Sequence, residues 1–439
     1  MRHSSSRVVW PIVIVAFIVL TAVGFRHVYM SDMTMPLPSV PYSEQPNYPG
    51  GDPTIWQQWY AVYGGAGTDV FNAVAADVTG LIAVGYSNSS DGDFTRNRGG
   101  FDAVVVKTSP TQGLIWQATF GGEGNDVFHA VAVSPQGDIY AVGDTASITG
   151  DFPMSYGGGT DAVIVKLDST GGLTWAKTLG GNGDDSFRSL AIADDGSVVV
   201  AGFTTSSASG QDGVLAKLTP SGDIVWAKTF GGSGDDSFAS VVISGQGNIF
   251  VVGKSNSPDG DFGNTNHAVN AVALVTTTDG DVTWAKSYGG TGMDEFNSVA
   301  LAPNDTLVVV GDSSSQDGVF GDRNRAAGRI ASLLATLTMD GNLIYHDESS
   351  SLLESDLTTS AVAVQADGTI IYVGTITYSN MTPPSRGMWV LITVQGTSGW
   401  SPYGDNSGVT NFTGLANLPG GGVAVVGYTA GDAVIVTFK

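Results

Sequence analysis

"WAKTFGGSGDDSF", residues Trp226–Phe238, decides the fold, because the chain repeats it almost letter for letter. It reads "WAKTLGGNGDDSF" at Trp175–Phe187 and "WAKSYGGTGMDEF" at Trp284–Phe296. Aligned on the opening aromatic, the phrase starts at Trp59, Trp116, Trp175, Trp226, Trp284, Tyr345 and Trp400, a period of about 57 residues. A second landmark, a glycine closing an apolar run, recurs at Gly85, Gly143, Gly202, Gly253, Gly311, Gly374 and Gly427. A fixed period of this size marks a solenoid, a propeller or an array.

Within each unit, short β-rich runs alternate with turn residues. In the fourth unit they are "WAKTF", "FASVVIS", "NIFVVG" and "NAVALV". Four antiparallel strands per repeat, apolar almost throughout, is the blade of a propeller. The reading is therefore an all-β, seven-bladed β-propeller of four-stranded antiparallel blades over residues 54–439. The Trp belongs to the outermost strand, where its ring fills the wedge between blades. The double glycine after it supplies a sharp turn. Asp69, Asp126, Asp185, Asp236 and Asp294 occupy one aligned position, two before Phe71, Phe128, Phe187, Phe238 and Phe296. An Asp placed after a glycine turn accepts backbone N–H bonds and pins the turn. The last unit ends at Lys439 after "DAVIVTFK", with no fourth strand, while "TIWQQWYAVYGG" (54–65) has the outer-strand phrase with no strands before it. The N-terminal strand thus closes the ring, which removes exposed edges.

Residues 1–30 read as a cytoplasmic tip and a transmembrane signal anchor. "VVWPIVIVAFIVLTAVGF" (Val8–Phe25) is apolar and uncharged, just long enough to span a bilayer as a helix, and Arg2 and Arg7 precede it. That places the propeller, on a single-pass anchor, on the extracytoplasmic side, or in the secreted fraction if the run is a cleaved signal. Residues 31–53, with Pro36, Pro38, Pro41, Pro46, Pro49 and Pro53, read as an extended stalk. Hydrophobic residues make up 42% of the chain, enough for a core, so global disorder is excluded. The net charge of −23 argues against a nucleic-acid partner, whose phosphates demand Lys and Arg. With no cysteine, disulfides and thiolate metal sites are excluded.

The pattern "GGxGxDxF … DGxIxVxGxSxS … GDF … DAxVxKL … DG … W" resembles the bacterial β-propeller repeat of secreted and surface proteins. Five units (Trp59–Ile344) carry it well and the last two weakly. "LDSTGGLTW" (Leu167–Trp175) is also similar, more faintly, to the tryptophan-docking phrase of pyrroloquinoline-quinone-type propellers. The resemblance implies the fold and offers no catalytic residues to carry over.

For chemistry the sequence gives little. There is no G-x-S-x-G elbow, and beyond the anchor only His129, His267 and His346 occur, each alone. Lys107, Lys166 and Lys217 end aligned strands and Lys177, Lys228 and Lys286 follow the Trp by two, which reads as stems lying on the blade with the ammonium in water. The acidic turns "SSDGDF" (Asp91, Asp93), "ITGDF" (Asp151), "SPDGDF" (Asp259, Asp261) and "SQDGVFGD" (Asp317, Asp322) are candidate calcium ligands, since calcium takes several oxygens. Asp-Gly is equally the dipeptide of a tight hairpin turn. No cofactor and no catalytic residue is assigned. The insertion "TYSNMTPPSRGMW" (Thr377–Trp389) is the candidate partner-binding loop through Tyr378, Met381, Arg386 and Trp389, residue types favoured at interfaces. The reading is a membrane-tethered binding or scaffold module for a protein or glycan partner. The alternative is a cell-surface glycan hydrolase or lyase with paired carboxylates at the central mouth of the propeller.

Overall fold

The computed structural model describes residues 57–439 except 153–155, 208–209, 264–267, 322–327, 350–354, 379–384, 393–397, 404–409, 430 and 439. They form seven four-stranded antiparallel sheets. From the innermost strand outward, blade 1 is Asp69–Asp77, Gly80–Ser87, Asp102–Ser109 and Gly113–Phe120, and blade 2 is Asp126–Val133, Ile139–Thr145, Asp161–Leu167 and Leu173–Leu179. Blade 3 is Asp185–Ile192, Val198–Ser207, Gly210–Leu218 and Ile224–Phe230. Blade 4 is Asp236–Ile243, Ile249–Ser255, Asn270–Thr276 and Val282–Tyr288, and blade 5 is Asp294–Leu301, Thr306–Ser313, Ala331–Thr338 and Leu343–Ser349. Blade 6 is Ser355–Val364, Ile370–Tyr378, Ser385–Ile392 and Ser398–Tyr403. Blade 7 is Thr410–Asn417, Val423–Thr429 and Asp432–Phe438, with Gln57–Tyr63 as its outer strand.

The apolar runs follow from each blade being covered on both faces. In Asp102–Ser109 every residue is buried. Val104 and Val106 pack with Ala424 and Val426 of blade 7, while Ala103 and Val105 pack with Phe128, Ile139 and Val163 of blade 2. The strand's period of two sends alternate side chains to opposite neighbours, so both sets are hydrophobic.

The outer Trp reaches across to the next blade. Nε1 of Trp116, Trp175, Trp226 and Trp284 donates to the carbonyl oxygens of Ser169, Pro220, Thr278 and Met339, at 3.3, 3.2, 3.2 and 2.9 Å. Each carbonyl lies in the turn before the next blade's outer strand. Lys228 and Lys286 point the same way: their ammonium groups donate to Gly280 O at 2.7 Å and Asp340 O at 2.7 Å. These lysines clasp neighbouring blades rather than only trailing in water.

The outer strand Gln57–Tyr63 pairs antiparallel with Asp432–Phe438. Tyr63 Oη lies 2.6 Å from Thr108 Oγ1 of blade 1, so the same strand also ties the last blade to the first.

Two parts of the sequence reading require correction. A seven-bladed propeller was expected; six blades share the aligned innermost Phe, and the sheet starting at Ser355–Val364 does not. Six innermost strands carry the aligned Phe (Phe71, Phe128, Phe187, Phe238, Phe296 and Phe412), whereas Thr359 stands there in blade 6; the pinning Asp is replaced by Leu357 in blade 6 and by Thr410 in blade 7. The outer two strands of that sheet are described by backbone pairing alone. The second correction concerns the N-terminal transmembrane helix. Among the described residues no helix is long and apolar enough to cross a membrane, and the one helical element is the 3-10 turn Gly260–Phe262. Val8–Phe25 itself lies outside the described residues. The transmembrane helix and the single-pass membrane location are withdrawn.

Candidate functional site

The central channel is built from one irregularity repeated in every blade. Each innermost strand slips register by one residue against its neighbour, between Phe71 and Ala73, Phe128 and Ala130, Phe187 and Ser189, Phe238 and Ser240, Phe296 and Ser298, Thr359 and Ala361, and Phe412 and Gly414. Such a bulge leaves one extra residue unpaired and re-aims it. The seven bulge residues are Asn72, His129, Arg188, Ala239, Asn297, Ser360 and Thr413, and all seven line one cavity of about 500 Å³.

The bulge also explains the glycine landmark. A Cβ at Gly143 would lie 1.8 Å from Val127 O, and one at Gly311 would lie 1.8 Å from Glu295 O. The folded-back carbonyl leaves room for hydrogen only. Three bulge side chains then tie the ring together at its axis. Asn72 Nδ2 donates to Phe128 O at 2.8 Å, Asn297 Nδ2 to Thr359 O at 2.8 Å, and Thr413 Oγ1 to Phe71 O at 2.5 Å.

Charge is gathered on blades 2 to 5. His129 Nε2 donates to Asp144 Oδ2 at 2.7 Å, and Ser186 Oγ donates to the same oxygen at 2.6 Å. Burial, with the Arg188 charge, holds the imidazole below its ordinary pKa against the pull of Asp144. Burial raises the Asp144 carboxyl, but the His129 bond and charge and the Ser186 hydroxyl outweigh it and hold the group below the usual range. Arg188 Nη1 lies 3.0 Å from His129 Nε2, and its guanidinium sits over the Phe203 ring at 5.3 Å. Lys254 Nζ pairs with Glu295 Oε2 at 2.8 Å. Asp312 accepts the Thr359 N–H at 2.8 Å and Asn297 Nδ2–H at 3.0 Å, and burial, aided by Glu295, pushes its carboxyl up to about 7.

The aligned Asp residues sit away from this channel chemistry. Asp126 Oδ2 accepts Gly122 N–H at 2.9 Å and Ser147 Oγ–H at 2.7 Å, and Asp236 and Asp294 repeat the arrangement with Gly232 and Ser257, and with Gly290 and Ser315. They pin the double-glycine turn.

The acidic turns pin it from the other side. Asp93 and Asp261 accept the N–H of Gly64 and Gly231, both at 3.0 Å, and Asp151 accepts that of Gly121 at 3.1 Å. Asp91, Asp259 and Asp317 accept those of Ala66, Ser233 and Thr291, each at 2.7 Å. Asp151 also pairs with Arg98. The neighbouring Phe94, Phe152, Phe262 and Phe320 are buried against the innermost Phe of each blade, which fixes these turns. No group of three His, Cys, Asp or Glu among the described residues is disposed to hold a metal. Asp322 lies outside the described residues.

The insertion Thr377–Trp389 is partly strand. Tyr378 ends the second strand of blade 6 and Arg386 and Trp389 lie in its third, paired with Ile376 and Val373. Met381 lies outside the described residues. The channel set was missed in the sequence, where His129 stood alone. Its signal is positional: each member directly follows the aligned Phe or its counterpart.

A family model described as "Domain of unknown function (DUF5122) beta-propeller" matches residues 193–224. The regulatory protein FlaEY of Caulobacter vibrioides is 24% identical over 253 residues, covering 51% of this chain and 26% of that protein. The chain thus spans about a quarter of the length of this curated relative. The WD40 domain of Neurospora crassa Pan2 superimposes with a TM-score of 0.52 at 10% identity, over 87% of this chain and 95% of that one. A structure titled "YCF48 bound to D1 peptide" gives a TM-score of 0.45 at 10% identity, over 86% and 94%. At such identity the likeness to the Pan2 domain establishes the fold alone, that of a β-propeller repeat protein.

Proposed function

We propose that this propeller is a binding module that receives part of a protein partner at its central channel, and that its repeats are of the bacterial β-propeller type. The observation that carries the reading is internal to the chain. The bulge position holds Asn, His, Arg, Ala, Asn, Ser and Thr in turn, while Phe, Gly and Asp recur around it. Where seven copies of one backbone site carry six residue types, blade packing imposes no single side chain, and the members not tied to a neighbouring blade are open to serve recognition. The pinning acids and docking Trp residues are engaged with neighbouring blades and belong to the frame. We further read residues 54–439 as the module and 31–53 as its stalk.

Hydroxyl-radical footprinting of the full chain with and without its isolated partner tests this. Protection is expected at His129 and Phe203, half-buried on the channel, and none at the exposed Ile224 and Val225 of an outer strand. Protection confined to the outer strands would overturn the reading.

The alternative, glycan hydrolysis or lysis, draws on one specific pair. Glu295 and Asp312 are cross-strand neighbours in divergent surroundings, Glu295 paired with Lys254 and Asp312 buried with its carboxyl pushed up to about 7. That divergence is the pattern of an acid–base couple. Against it, Asp312 is 4% exposed and held by Thr359 and Asn297, and Glu295 is held by Lys254. Binding is the better reading. Turnover of a glycan panel that disappears in Glu295→Gln would reverse that order.

A further inference from the structure

We infer that the channel holds a carboxylate-binding site centred on Arg188, at the gap left by Ala239. The inference deepens the binding reading above and rests on it.

Arg188 stands in the bulge of blade 3, inside the ring yet open to channel water. Its guanidinium carries five N–H donors in a rigid fork. Among the described residues its contacts are with the His129 ring and the face of Phe203, and it forms no ion pair with a carboxylate. Asp144 is turned to His129 and Ser186. Unused donors in a hollow, on a chain of net charge −23, are a polarity the rest of the molecule does not explain. The Phe203 contact holds the fork in place, which lowers the ordering cost of binding.

The next blade supplies the room. Its bulge residue is Ala239, the smallest of the seven, flanked in the cavity by Gln211, Ser237 and Lys254. Gln211 and Ser237 carry donors for a second oxygen or an adjoining amide. Lys254 is already paired with Glu295, so among the described residues Arg188, which feels the Asp144 charge without contacting that carboxylate, is the channel cation left without an ion pair. One guanidinium matches one carboxylate, bidentately. A dianion would meet Glu295 without a second free cation. The chemical class is therefore a monocarboxylate, from a small acid or from the end of a peptide chain, and a cavity of about 500 Å³ admits either.

The test is titration of the full chain with hippurate and with hippuramide, its neutral isostere, read by calorimetry and melting temperature. Hippurate is expected to bind and raise the melting temperature, and hippuramide is not. Arg188→Gln should weaken hippurate at least tenfold. Ala239→Leu, which fills the gap and leaves Arg188 in place, should do the same, so the result does not hang on one variant's folding. A second arm compares acetylated tripeptides with free and amidated C-termini. Free peptide binding more tightly than hippurate identifies a chain end as the ligand, and the reverse identifies a small acid. Equal binding of hippurate and hippuramide, or full hippurate affinity in both variants, overturns the inference. In that case footprint protection of the channel by a partner would still leave the binding reading intact.

Discussion

The indole of Trp284 lies on Gly341 of the following blade, close enough that a Cβ there would stand 2.6 Å from Cη2, while Nε1 donates to the adjoining Met339 carbonyl at 2.9 Å. Gly341 has φ +71°, so the glycine answers both to the turn and to the ring. Trp116 on Gly171, Trp175 on Gly222 and Trp226 on Gly280 repeat the relationship. The docking Trp is therefore a joint between blades.

Gly341→Ala is expected to cost about 2–4 kcal/mol, from left-handed backbone strain and displacement of the ring. Trp284→Ala should cost about 3–5 kcal/mol. Because the two touch, the double variant should lose less than the sum. Denaturant unfolding of the three variants checks this, and strict additivity would separate the ring from the turn.

The bulge glycines should be far less tolerant than their exposed counterparts. Gly311→Ala sets a Cβ 1.8 Å from Glu295 O, a clash with backbone that has no rotamer to escape into. The expected loss is above about 4 kcal/mol, or failure to fold. Gly245 has nothing within 4 Å of its Cβ position, and Gly245→Ala should stay within about 1 kcal/mol of wild type. Equal losses would remove the bulge as the reason for the landmark.

A pH-dependent prediction comes from the junction of blades 1 and 2. Burial, with the charges of Asp126 and Asp151 and against the Arg98 amide, raises the Asp102 carboxyl to about 6. The folded state thus holds this proton more tightly than the unfolded chain does. Its stabilising share is full below pH about 4 and is lost as pH rises through about 6, at most about 3 kcal/mol. In blade 4 the same place is taken by Asn270, facing Gly289 and Asp294 as Asp102 faces Gly121 and Asp126. Asp102→Asn keeps an acceptor for the Arg98 amide and turns an N–H toward Asp126. It should be more stable than wild type above pH 7 and equal or inferior below pH 4. Unfolding free energies across that range decide it; a gain independent of pH would refute the assignment.

Ring closure gives a fourth expectation. Deleting residues 57–63 strips the outer strand from Asp432–Phe438 and the Tyr63 hydroxyl from Thr108. The melting temperature should fall sharply and the bared edge should promote aggregation. An unchanged melting curve would contradict the closure.

How much of this was legible in the sequence depends on whether a residue answers to its own blade or to the axis. Trp226, Gly253 and Asp236 recur at fixed spacing because packing demands the same shape each time, and they could be read. The channel could not. Asn72, His129, Arg188 and Ala239 share no chemistry, and strand alternation gives no sign of a bulge. His129 stands isolated in the sequence because Asp144 lies on the neighbouring strand and Arg188 comes from the next blade. The acidic turns suggested metal ligands, yet their carboxylates face the amides of a glycine turn distant in sequence. The apolar run Val8–Phe25 invited a membrane helix from composition and length alone.

The measurement that bears most directly on the central claim is the affinity of an isolated partner for two matched variants. The partner is purified on the immobilised full chain, and its Kd is then measured against Ser360→Trp, which crowds the channel, and Val225→Ser, which alters the exposed outer strand. With both variants melting as wild type, recognition at the channel requires at least a tenfold loss for Ser360→Trp and none for Val225→Ser. Unchanged affinity in Ser360→Trp, or a loss confined to Val225→Ser, would place recognition on the outer wall and contradict the account.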